Sequence, residues 1–323
     1  MNLFLAISMF LGGTALLIYC IEEFIENLSK TAVSFGFSAF FLSVVLAGMD
    51  LENWAIGIPA IIKTLPGIAI GSVIGSAVFL VGGGLGLAGL ITPFEAKAPR
   101  DYLVLLFTSP LLLLVFIFDL QVTRLEGGIL LGVFVVFITY LYRKEKQGGG
   151  YMRQEEVEEA LEEAEELKHG RWFYLLLTLL FTIGFSIGAE VAVRGAKGII
   201  NGTYLDETIF GMTVVGLAAS IEEITLTVEP VRKGEKEIAI GNLIGSLLFF
   251  STGNVGLLAV IKPLNLRGMV LLFYWPYILI VTLLTGIFLL NGKVKKGEGG
   301  LLLSVYISYW VLSYTFSQVL LGF

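Results

Sequence analysis

The chain has 323 residues, of which 56% are hydrophobic and 15% charged, with a mean hydropathy of +0.87 and a net charge of −6. An ordinary globular domain carries about 25% charged residues; a chain this apolar cannot cover itself with polar groups in water. A cytosolic enzyme, a nucleic-acid binder and a disordered scaffold are excluded, and a polytopic protein solvated by lipid fits.

Apolar runs long enough to span a bilayer fall at roughly 3–20, 35–62, 66–92, 101–118, 127–142, 172–197, 208–229, 237–261, 268–290 and 300–321. None shows the period-2 alternation of a membrane β-barrel. The expected fold class is therefore an all-α polytopic membrane protein with ten transmembrane helices. The first run opens MNLFLAISMFLGG, with no basic n-region and no cleavage site, and is expected to be a spanning helix rather than a removable signal.

The second run, FFLSVVLAGMDLENWAIGIPAII, carries Asp50, Glu52 and Asn53 in its middle. The third contains IGSVIGSAVF at 70–79, with Ser72 and Ser76. After the fifth comes a polar linker, 143–171, with GGG at 148–150 and eight glutamates between Glu155 and Glu166, which explain the negative net charge without acidic partners. It reads as a solvated cytoplasmic helix, and it has no calcium-loop spacing.

The seventh run, IFGMTVVGLAASIEEITLTVEP, carries Ser220, Glu222 and Glu223, and the eighth carries IGNLIGSLLF at 240–249, with Asn242 and Ser246. These elements repeat the first half. The two IGxxIGS segments are offset by 170; at that offset Glu52 meets Glu222 and Asn53 meets Glu223, and Glu22 meets Glu190 at 168. Each half then has five spans, and an odd number inverts the second half in the membrane. Inverted repeats are the plan of secondary transporters, with the substrate site near the midplane. The organisation expected is a first repeat at 1–142 with its motif in 35–92, a linker at 143–171, and a second repeat at 172–323 with its motif in 208–261. With the N-terminus outside, inside loops hold fifteen Lys and Arg and outside loops six, so both termini are expected outside and the linker in the cytoplasm.

An ionised acid at mid-bilayer costs roughly 2.5–3.5 kcal/mol on insertion scales. Asp50, Glu52, Glu222 and Glu223 have no basic residue beside them in their spans, so they must be protonated or face water or a cation. One cysteine, Cys20, and one histidine, His169, exclude an internal disulfide and soft-ligand metal chemistry. Clustered carboxylates with hydroxyls and amides suit Ca²⁺, Na⁺ or H⁺. The expected metal-ligating set is Asp50, Glu52, Asn53, Ser76, Ser220, Glu222, Glu223 and Ser246. The Gly184-x-Ser186-x-Gly188 match to a nucleophile motif lies inside an apolar span with no histidine near it, and no hydrolase follows.

The two repeats and their motifs resemble the cation/calcium antiporters, sodium/calcium exchangers among them, over essentially the whole chain. Ala218-Ala-Ser-Ile-Glu-Glu223 stands against that family's GTSxPE-like element, which puts Glu223 at its ion-binding glutamate and Ser220 at its serine. Ile240-Gly-Asn-Leu-Ile-Gly-Ser246 follows at the family spacing. Gly48-Met-Asp-Leu-Glu-Asn53 departs, with Asn53 for the glutamate, Glu52 for the proline and Asp50 for the serine. Leu80 and Phe250 stand where the family often carries Asn or Asp. The resemblance implies a plasma-membrane antiporter that is not an enzyme and has no cofactor, exchanging Ca²⁺ for Na⁺ or H⁺, with the lipid bilayer and small cations as partners. A cation/proton exchanger for another cation, a passive channel and a non-transporting sensor on the same fold stay open.

Overall fold

The computed structural model describes residues 1–35, 50–95, 97–146, 169–203 and 205–320. Its helices are α1 (Leu3–Ser34), α2 (Leu51–Ile62), α3 (Pro66–Ile91), α4 (Arg100–Ile117), α5 (Arg124–Glu145), α6 (Arg171–Thr203), α7 (Glu207–Lys233), α8 (Lys236–Ile261), α9 (Val270–Asn291) and α10 (Lys296–Leu320). Among the described residues eight helices, α1 and α3–α9, are long and apolar enough to cross a membrane, and α2 is a shorter apolar helix. Residues 36–49, which hold the start of the expected second span together with Gly48 and Met49, lie outside the described residues. So do 147–168, which hold the acidic linker.

Local chemistry sets the helix ends. Pro66 opens α3, where a missing N–H costs nothing. Thr123 and Glu126 form a reciprocal capping box at the start of α5. Gly234, at φ 87°, ends α7 in the left-handed conformation that glycine adopts without strain. Two helices outrun their apolar stretches. The sequence places Lys30 in a loop, but α1 continues to Ser34, and Lys30 donates to Glu26 one turn back at 2.5 Å. Pairing at i,i+4 neutralises both groups and lets the helix run on. Arg194 and Lys197, assigned to a loop for charge counting, likewise lie within α6.

The helices repeat. α1 and α6 start 168 residues apart, α3 and α8 start 170 apart, and α5 and α10 start 172 apart. The repeat reaches fine backbone detail. α3 and α8 each widen into a π-helical turn at matching places, Phe79–Gly84 and Phe249–Asn254. A short antiparallel pair, β1 (Gln121–Val122) with β2 (Leu264–Asn265), sets Val122 opposite Leu264, and an isolated bridge sets Phe94 opposite Val294. Shifting the first half by 170 to 172 residues turns one of these pairings into the other.

α3 and α8 form the centre: the apolar window of α3 is 100% buried and that of α8 83%. α3 packs backbone to backbone on α7; a Cβ added to Gly216 would lie 2.6 Å from Gly75 Cα. Small residues at such crossings permit this approach. The outer helices present Phe4, Leu11, Val115, Leu125, Trp172, Leu176 and Leu272 at their surface. So broad an apolar exterior requires lipid.

Candidate functional site

The second central motif lies where a helix breaks, and the first where one begins. Residues 219–222 of α7 leave the helix as a turn, separating 207–218 from Glu223–Lys233. In the first half, Asp50 is the N-cap of α2, with extended backbone and a carboxylate that accepts the Asn53 backbone N–H at 3.0 Å. Broken helices free backbone polar groups, which a membrane protein tolerates only where protein or a cavity satisfies them.

From these two helix starts, at Leu51 and Glu223, the side chains meet the central helices in matched pairs. Asn53 Nδ2 donates to Asp50 Oδ2 at 2.6 Å and lies 3.1 Å from Ser76 Oγ on α3. The Ser76 hydroxyl can donate to Asn53 Oδ1 at 3.2 Å or to the Gly216 carbonyl at 3.1 Å, the latter tying α3 to the helix broken in the other half. In the second half Asn242 Nδ2 donates to Glu223 Oε2 at 2.8 Å and Ser246 Oγ lies 3.4 Å from Glu223 Oε1. The shift of 170 residues that takes Asn53 and Ser76 to Glu223 and Ser246 therefore relates a pair of contacts.

Asp50, Glu52, Asn53, Ser76, Ser220, Glu223 and Ser246 are all buried, with Glu52 and Glu223 each 2% exposed. Glu222 is half-buried. Glu52 and Glu222, one from each half, are close enough for their charges to interact, and Asp50 acts on Glu52 as well. Glu52 Oε1 and Ser220 Oγ are buried without a hydrogen-bond partner among the described residues. An isolated buried polar atom costs on the order of 1–3 kcal/mol, so these oxygens are suited to a ligand.

The structure thus gathers the motif acids with Asn53, Ser76 and Ser246. It adds Asn242 as the amide donor that orients Glu223, and it turns Ser72 away, its hydroxyl donating to the Ala69 carbonyl. Leu80 and Phe250 are fully packed, and both fall in the π turns. Glu190 is not part of this cluster: it accepts from Lys63 at 2.7 Å and from Arg194 at 2.6 Å, joining the end of α2 to α6. Ser186, of the nucleophile-like motif, back-bonds to the Thr182 carbonyl within α6. Sequence reasoning did not single out Asn254 or Thr227, both fully buried with side-chain polar atoms that have no hydrogen-bond partner among the described residues. The run Phe-Phe-Ser-Thr-Gly-Asn inside an apolar span was the available signal.

The family described as sodium/calcium exchanger protein matches residues 5–143 and 173–315. The chain belongs to this family. Family membership carries the coarse activity, cation/calcium exchange by an integral multi-pass membrane protein, and it makes the protein a transporter rather than an enzyme in the usual sense. Among relatives, the sodium/calcium exchanger MaX1 of Methanosarcina acetivorans is 26% identical over 93% of this chain and 96% of its own. The inner membrane protein YrbG of Escherichia coli strain K12 is 24% identical over 98% and 99%. A solved structure of the sodium–calcium exchanger NCX_Mj, soaked with Na⁺ and Sr²⁺, superposes with a TM-score of 0.60 at 22% identity, covering 95% of this chain and 98% of that one, and shows the shared fold.

Proposed function

We propose that this exchanger is a secondary-active antiporter that moves Ca²⁺ against Na⁺ or H⁺ by alternating access, with ten membrane helices in two inverted five-helix repeats. The repeats run 1–142 and 172–323, joined by a cytoplasmic linker, in the plasma membrane with both termini outside. The central site is formed by Asp50, Glu52, Asn53, Glu222 and Glu223, with Ser76, Ser220 and Ser246 as neutral oxygen donors. The observation that supports this reading is the pair of matched contacts, Asn53 with Ser76 at the start of α2 and Glu223 with Ser246 after the break in α7, among buried acids.

The mechanism follows from the charges. Buried carboxylates are costly when ionised and empty. A divalent ion, or the coupling ions in its place, neutralises them, so an occupied site can be carried between the two sides of the membrane while an empty charged one is penalised. The same oxygens cannot hold both loads at once, and this competition makes the transport an exchange. The test is binding and flux in the Glu223→Gln variant, which keeps the side chain's shape and removes its charge. Loss of divalent binding with retained folding supports the site; unchanged binding removes Glu223 from it.

A further inference from the structure

Asn254 is fully buried, and both ends of its side chain, Oδ1 and Nδ2, lack a hydrogen-bond partner among the described residues. Few side chains carry a larger desolvation cost for no visible return. Its place in the fold supplies a reason.

Asn254 ends the π-helical turn of α8. Residues four apart share one face of a helix, and the wider π turn keeps that register through 246, 250, 254 and 258. Ser246, at one end of this row, touches Glu223. Contacts further along set the row against α2. Phe249 packs on Trp54 with ring centroids 5.1 Å apart, and a Cβ built on Gly57 would meet Leu258 Cδ2 at 3.0 Å. Asn254 lies between those two contacts in sequence, which sets it beside the first turns of α2, where Asn53 and Glu52 sit. Glu52 Oε1, also buried, is likewise without a partner.

The other half supports this placement. At the offset of 170, Asn254 corresponds to Gly84 and Gly57 to Thr227. A Cβ built on Gly84 would lie 3.7 Å from both the Glu223 carbonyl and Thr227 Oγ1. In one half the polar side chain comes from the broken helix and glycine makes room on the central one; in the other half the two are exchanged. Each flank of the site therefore keeps one buried polar side chain, Thr227 or Asn254, next to the residue at its centre.

We propose that Asn254 is a cation ligand: its amide oxygen holds a hard metal cation at a position flanking the central acids on the α2 side. The proposal rests on the antiport reading and adds a donor that neither the motifs nor Phe250 supplies. A neutral amide oxygen binds such an ion by its dipole alone, which suits a position the ion occupies beside the carboxylates. The amide nitrogen then turns to an acceptor such as Glu52 Oε1.

The test is thermal melting of the purified full-length chain, without cations and then with Ca²⁺ or Na⁺ titrated separately, for the parent, Asn254→Leu, Asn254→Asp and Asn254→Gly. The last reproduces the residue found at the equivalent position 84. Leucine should raise the cation-free midpoint, because it removes an unsatisfied buried amide. It should weaken the apparent affinity for at least one of the two cations about tenfold, the equivalent of one lost ligand contact. Glycine should weaken it likewise, and aspartate should preserve the cation-induced shift. Equal shifts in the parent, leucine and glycine chains would overturn the role of Asn254 and leave the central site standing. A parent chain that responds to neither cation would overturn the antiport reading, and this proposal with it. A loss of stability of the same size with and without cation would mean that Asn254 is a structural hydrogen-bonding group, which also overturns the proposal.

Discussion

The two halves of the molecule share a backbone and carry it differently. In the first, the residue facing the central helix is an amide, Asn53, and the carboxylate hydrogen-bonded to it, Asp50, is the cap of the same helix. In the second, the facing residue is itself the carboxylate, Glu223, and its amide partner, Asn242, comes from the central helix. In each motif a side-chain amide donates to a carboxylate, at 2.6 Å and 2.8 Å, with the carboxylate on opposite sides of the contact. Repeated structure fixes which positions face the central helices; local substitution decides which of them is a carboxyl and which an amide. The second half should dominate cation affinity, and the first should tune selectivity and stability.

The largest effect should come from the second half. Glu223→Gln should weaken divalent binding by about a hundredfold, near 2.7 kcal/mol, in isothermal titration, with the melting midpoint little changed. A loss smaller than that of Asp50→Asn would reverse the ranking of the halves.

Next in size is proton competition. A cation that binds a buried carboxylate must displace any proton the carboxyl holds. Apparent divalent affinity at fixed Na⁺ should therefore strengthen as pH rises between 5 and 9, by about tenfold in all, the effect of releasing one proton per ion over about one pH unit. A flat profile would mean that the acids are solvated and already ionised, contrary to their burial.

Asn53→Asp places an acid at the position matching Glu223 and so makes the halves more alike. It should change the ratio of Ca²⁺ to Na⁺ affinity several-fold and steepen the pH dependence, because one more like charge joins the cluster. An unchanged ratio would place Asn53 outside the ion's coordination.

Asp50→Ala tests the other duty of the first half. Removing an N-cap carboxylate costs about 0.5–2 kcal/mol, so the melting midpoint should fall, whereas Asp50→Asn, which can still cap, should keep most of it. The smallest effect should be that of Lys63→Gln, which breaks the partly exposed ion pair with Glu190. Such pairs contribute about 0–1 kcal/mol, and the midpoint should move little.

Much of this was legible in the sequence. Long apolar runs without period-2 alternation read as helices, because a helix satisfies its own backbone polar groups in lipid. The acids stood out because they are expensive in those runs, and the repeat aligned Asn53 with Glu223 before any contact was known. The details that finish the site were not legible. The break at 219–222 and the π turns at Phe79–Gly84 and Phe249–Asn254 are shifts of backbone hydrogen bonding that leave no residue pattern. Ser72 looked equivalent to Asn242, but a short hydroxyl satisfies itself on the helix backbone and an amide reaches Glu223. Helix α1 ran past its apolar stretch because Lys30 found Glu26, a pairing that hydropathy does not count.

The central claim is exchange, and flux in sealed proteoliposomes tests it most directly. The purified chain is reconstituted, and Ca²⁺ uptake against its own gradient is followed with an opposing Na⁺ or H⁺ gradient imposed in turn. Exchange requires uphill Ca²⁺ movement with at least one of these gradients, none when both are dissipated, and none in Glu223→Gln. Ca²⁺ that only runs down its own gradient, with no need for a counter-ion, would contradict it and make the protein a channel.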